Sequence, residues 1–122
     1  RTRTIRIGLV ALLLLFGAGY ALIRDELTLA FVLVPAGAAW ALVNVNSLPL
    51  VYDTGDEGSI GAYTGLYYFA SQTAAVFGPV LAGYAVELSG SHRVIFAFGA
   101  VFMLLAYIAM RAVSVPEQPQ HV

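Results

Sequence analysis

Residues 27–52 read LTLAFVLVPAGAAWALVNVNSLPLVY, 26 positions from Leu27 to Tyr52 without a charged side chain. At a rise of about 1.5 Å per residue, about 17–25 apolar residues cross the hydrocarbon of a bilayer as one helix. A helix on the outside of a soluble bundle carries charges on its wet face, and none are present here. The stretch therefore reads as a transmembrane helix. It also holds two amides, Asn44 and Asn46, where water is scarce, and that placement bears on function.

The rest of the chain repeats the pattern. Ile7–Ile23 gives 17 uncharged residues, Gly58–Val86 gives 29 and Val94–Met110 gives 17, so the fold class is all-α, a polytopic protein of four transmembrane helices. The composition agrees: 60% hydrophobic and 11% charged, where soluble domains carry about 25% charged residues. The expected spans are 5–23, 28–51, 59–87 and 92–112, within a membrane unit 1–113, followed by a polar, disordered cytoplasmic tail over 114–122. Gly90 is the expected C-terminal cap of the third helix and Ser91 the N-cap of the fourth.

Arg1, Arg3 and Arg6 before an apolar run resemble the basic start of a signal peptide. Three further spans and the absence of an initial Met argue instead for a segment that starts inside a longer protein. Four crossings bring both ends to one side. That side holds Arg1, Arg3, Arg6 and Arg111 and the other Arg24 and Arg93. The positive-inside rule then puts both termini in the cytoplasm of an integral protein of the cell inner or plasma membrane. Asp53, Asp56 and Glu57 read as a solvated cytoplasmic loop, with pairing to basic segments elsewhere as the less favoured alternative.

Several function classes are excluded by composition. There are no cysteines, and His92 and His121 lack metal-ligand spacing, so no metal and no cofactor is expected. No phosphate loop, nucleophile motif or basic nucleic-acid patch appears, so neither an enzyme nor a nucleic-acid partner is expected. No ionisable side chain sits in the middle of a span, although ion-coupled transport usually needs one.

The polar residues inside the spans fall on faces. With about 100° per residue, Trp40, Asn44 and Ser47 share a stripe about 60° wide, while Asn46 lies about 160° from Asn44. Pro49 removes the hydrogen bond to the Val45 carbonyl, which Asn46 or Ser47 is expected to satisfy. In the third span Thr64, Tyr68 and Ser71 lie within about 60° of one another, flanked by Tyr67 and Gln72. Hydroxyls and amides donate and accept, so they replace the water shell of a neutral polyhydroxylated ligand, and an aromatic ring stacks on a sugar's apolar face. The candidate substrate-binding residues are Trp40, Asn44, Asn46, Thr64, Tyr67, Tyr68, Ser71 and Gln72. Gly61 and Gly65, and Gly78 with Ala74, form small-xxx-small steps expected to permit close helix packing, and Gly78-Pro79 and Pro49 are expected bends.

Ala39–Asp53, AWALVNVNSLPLVYD, followed by Gly61–Tyr84, GAYTGLYYFASQTAAVFGPVLAGY, resembles the C-terminal end of major facilitator superfamily transporters. The resemblance is to the sucrose-type solute carriers and the glycoside–pentoside–hexuronide:cation symporters and spans about Ala39–Gly90. It implies that the four spans are helices nine to twelve of a twelve-helix carrier. It implies a sugar or glycoside as solute, H+ or Na+ as coupling ion, and as partners the bilayer and the carrier's remaining helices. The family's coupling acids have no counterpart here, and alone this segment is expected not to transport. Rival readings are a drug exporter on the same fold and a free-standing four-helix membrane scaffold, whose polar stripes would only meet each other.

Overall fold

A computed structural model describes residues 1–113; the expected tail, 114–122, lies outside them. Four helices follow in order: α1 Thr2–Leu22, α2 Glu26–Thr54, α3 Ile60–Ser89 and α4 Val94–Arg111. There is no strand among the described residues. All four helices are long and apolar enough to cross a membrane.

The helix ends differ from the expected ones by a few residues, for local reasons. α1 starts at Thr2, since its basic first turn continues the helix beyond the apolar run. α2 starts at Glu26 because Asp25 caps it: its Oδ1 accepts from Thr28 N at 2.8 Å and from Thr28 Oγ1 at 2.6 Å. Those bonds, the hydroxyl's first, hold the Asp25 carboxyl below the usual aspartate range. Gly90 ends α3 in the left-handed region at φ 69°, its N–H donating to Val86 O; a side chain is disfavoured there. Ser91 does not cap α4 directly. Its Oγ accepts from Arg93 N at 3.3 Å, and the helix begins at Val94 after that turn.

Pro35 and Pro49 lie inside α2, and Pro79 inside α3, without ending either helix. The expected patch at Val45 is absent. Asn46 Nδ2 donates to Leu42 O at 2.7 Å and Ser47 Oγ to Val43 O at 2.6 Å. A helical side chain leans toward the N-terminus, so it reaches the carbonyl one turn back rather than its near neighbour Val45.

The core lies between α1 and α2. Ile5, Leu9 and Leu12 face Ala36, Ala39, Val43 and Leu50, with residues of α4, Met103, Ala106 and Tyr107, packed against them. These positions recur at helical spacing and form one stripe per helix. Close approach is permitted by three glycines that the small-xxx-small steps do not include. A Cβ on Gly8 would stand 2.8 Å from Val43 Cγ2 and 2.9 Å from Ala39 O. One on Gly19 would meet Phe96, and one on Gly99 would meet Phe16, at 2.9 and 2.8 Å. The Phe16 and Phe96 rings meet edge to face with centroids 6.0 Å apart, a favourable aromatic geometry. By contrast, a Cβ on Gly61, Gly65 or Gly78 meets nothing within 4 Å. The close packing expected at those three is not made among the described helices.

α1 packs on α2 and α4, and α3 touches the same two helices more lightly without reaching α1. No residue of α3 is buried. Polar contacts tie the ends. Arg6 Nη2 donates to Met110 O at 3.1 Å, and Arg1 pairs with Asp53 at 2.9 Å, joining the start of α1 to the ends of α4 and α2. At the other end Arg93 Nη2 donates to Ile23 O at 2.6 Å. The Arg1–Asp53 pair gives Asp53 a basic partner, the less favoured of the two readings of the acidic cluster. Both side chains stay accessible, so the pair contributes about 0.2–1 kcal/mol.

Candidate solute-binding cleft

The light contact of α3 with α2 leaves a cleft of about 520 Å³ between them. From α2 it is lined by Trp40, Val43, Asn44 and Ser47, and from α3 by Tyr67, Ser71, Ala74 and Ala75. The α2 wall is one helical stripe at spacing 40, 43/44, 47, and the α3 wall is another at 67, 71, 74/75. Two hydroxyls, one amide, one phenol and one indole thus face a common space that no charged side chain lines.

Their hydrogen-bonding capacity is largely unspent. Among the described residues the side chains of Asn44, Tyr67 and Ser71 make no hydrogen bond, and Ser47 spends its hydroxyl proton on Val43 O but keeps its lone pairs. The Tyr67 ring is held edge-on by Tyr68, centroids 5.5 Å apart at 79°. Trp40 is half exposed, so its ring has a face available. The site can therefore take a neutral molecule that offers both donors and acceptors.

The cleft gathers Trp40, Asn44, Tyr67 and Ser71 from the candidates, and adds Ser47. Four other candidates are not among its lining residues. Asn46 spends one N–H on Leu42 O of its own helix and lies about 160° around α2 from Asn44. Thr64, one turn before Tyr68, has a buried hydroxyl with no partner. Tyr68 stands beside Tyr67 rather than in the wall, and Gln72, about 100° around from Ser71, is exposed on another face. Ser47 was visible on the Trp40–Asn44 stripe, and that spacing is the signal that finds it.

A larger groove of about 630 Å³ lies between α3 and α4, lined by Leu66, Phe69, Phe77, Phe98 and Phe102 among others. Its walls are almost wholly hydrocarbon, so it offers a polar solute nothing to replace water. No group of three or more His, Cys, Asp or Glu that could hold a metal occurs among the described residues.

The family model described as Major Facilitator Superfamily matches residues 1–122. No curated protein and no solved structure matches the chain.

Proposed function

This chain belongs to the major facilitator superfamily of membrane transporters, and we propose that it forms the C-terminal part of a secondary carrier for sugars or glycosides. In the complete carrier the cleft between α2 and α3 is one wall of the solute path, and transport proceeds by alternating access coupled to H+ or Na+. The chain is an integral membrane protein. The excess of arginines at the Arg1 end supports a cytoplasmic position for that end. The family's sucrose-type and glycoside-symporter branches supply the finer reading through the sequences around Asn44 and Tyr67.

The observation that carries it is the cleft's chemistry. Trp40, Asn44, Ser47, Tyr67 and Ser71 present donors, acceptors and rings with no charge. A cationic drug would want a carboxylate and an apolar drug would want no amide. A scaffold would close these two polar stripes on each other rather than leave about 520 Å³ between them.

Trp40 provides the test, because it lines the cleft and its own signal is isolated by the difference from Trp40→Phe. In the complete gene product, fluorescence is compared between wild type and Trp40→Phe as solutes are added. A saturable change with a neutral disaccharide, lost in Trp40→Phe, is the expected result. A change with charged or apolar solutes and none with sugars would refute the sugar reading.

A further inference from the structure

We infer that the groove at the start of α1 is a binding site for an anionic phospholipid, its phosphate on Arg3 and Arg6 and one acyl chain along α1. The groove, about 410 Å³, is lined by Arg3, Arg6, Ile7, Val10, Leu14 and Tyr107, with Ala11 at its floor. It is separate from the cleft between α2 and α3, and the inference stands without the sugar reading.

Sequence spacing builds the site. At about 100° per residue, Arg3, Arg6, Ile7, Val10 and Leu14 fall within about 100° of one another. One helix face thus begins with two guanidinium groups and continues as hydrocarbon. Ile7 is 55%, Val10 38% and Leu14 68% exposed, so none of the described helices covers the apolar part.

The depth is right for a lipid. Arg6 donates to Met110 O, a carbonyl in the last turn of α4, and that fixes its guanidinium level with a helix end. Tyr107, one turn before Arg111, lines the groove just below. From Ile7 to Leu14 the face descends about 10 Å into the bilayer, the region of the upper acyl chain. A soluble anion would use only the arginines and leave this stripe idle.

Among the described residues the charge is uncompensated. Arg1 is paired with Asp53, but no carboxylate pairs with Arg3 or Arg6 among the described residues. Arg6 spends one N–H on Met110 O and its Nε is buried, without an acceptor among the described residues, so a phosphate would meet the outer nitrogens of Arg6 and the exposed guanidinium of Arg3. A planar guanidinium matches a phosphate in two parallel hydrogen bonds. Basic pockets between membrane helices recognise anionic headgroups by this combination of field and fit.

The test uses the complete gene product, isolated with mild detergent and mixed with phosphatidylglycerol or phosphatidylcholine. Retained lipid is counted by native mass spectrometry. The variant is Arg3→Gln, which leaves the Arg6–Met110 bond intact. Separately, a photo-crosslinking residue replaces Leu14 in native membranes. Expected are stronger retention of phosphatidylglycerol, an about fivefold weaker affinity for it in Arg3→Gln, and a lipid adduct at position 14. Equal retention of the two lipids, or unchanged retention in Arg3→Gln, would overturn the site. So would a crosslink from position 14 to a protein helix, which would show that the groove is covered by polypeptide.

Discussion

Replacing Gly8 by alanine adds one methyl group where α1 lies tightly against α2. The new Cβ would stand 2.8 Å from Val43 Cγ2 and 2.9 Å from the Ala39 carbonyl oxygen. Val43 is β-branched and turns poorly, and Ala39 O is backbone, so neither yields without moving a helix. Overpacking of this kind costs about 1–3 kcal/mol. Alanine's better helix propensity returns at most about 1 kcal/mol. With two contacts under 3.0 Å, one of them to backbone, the overpacking cost falls in the upper part of its range, about 2–3 kcal/mol, which leaves a net expected destabilisation of about 1–2 kcal/mol. Gly17 is the control on the same helix, because a Cβ there meets nothing within 4 Å. Unfolding in mixed micelles, followed by circular dichroism against denaturing detergent, measures both variants. Gly8→Ala is expected to unfold at a lower detergent fraction than wild type, and Gly17→Ala at the same fraction or a higher one. A Gly8→Ala protein as stable as wild type would refute the packing of α1 on α2 described above.

Other outcomes follow from the same contacts. Gly99→Leu drives a side chain into Phe16, whose ring carbons stand 2.8 Å from an added Cβ; it is expected to lower thermal stability by several degrees in the same micelles, while Gly61→Ala does not. Asn46→Leu removes a bond to Leu42 O on its own helix, outside the cleft lining, and is expected to leave sugar uptake within about threefold, the factor that about 0.6 kcal/mol, the average of hydrogen bonds between membrane helices, would correspond to. The Asp25 carboxyl titrates below the usual aspartate range, so its cap is fully present above that range and is lost as pH falls through the lowered value. Carbon NMR is expected to show that low midpoint, and Thr28→Val to move it up toward the usual range.

The four spans were legible because lipid forbids charge over a bilayer's thickness, and Arg24–Glu26, Asp53–Glu57 and Arg93 separate the uncharged runs, although α1 continues through Arg6 to Thr2. The stripe of Trp40, Asn44 and Ser47 was legible from helical geometry, and so were Tyr67 and Ser71 as polar groups of the third helix. The rotation of that helix was not. α3 is apolar on most sides and buries none of them, so no hydrophobic face fixes whether Tyr68 and Gln72 or Tyr67 and Ala74 look toward α2. The packing glycines escaped for a related reason. Gly8 matters because of Ala39 and Val43, which lie on a different helix, and one helix's periodicity carries no information on its register against a neighbour. The Arg1–Asp53 pair and the Arg93–Ile23 bond are long-range contacts of the same kind. The glycine pair Gly61 and Gly65 had the expected spacing but no neighbour among the described helices.

The most direct test is sugar uptake by the complete gene product in membrane vesicles, comparing wild type with Asn44→Ala and Ser71→Ala at matched membrane abundance. Each substitution removes a hydrogen-bonding group from opposite walls of the cleft. A lost bond to a buried polar solute costs about 1–3 kcal/mol, or about 5- to 150-fold in uptake at low solute concentration. Both variants are expected to fall by that much, with Asn46→Leu near wild type. Uptake of sugar unchanged in both Asn44→Ala and Ser71→Ala would contradict the assignment of the cleft between α2 and α3 to the solute.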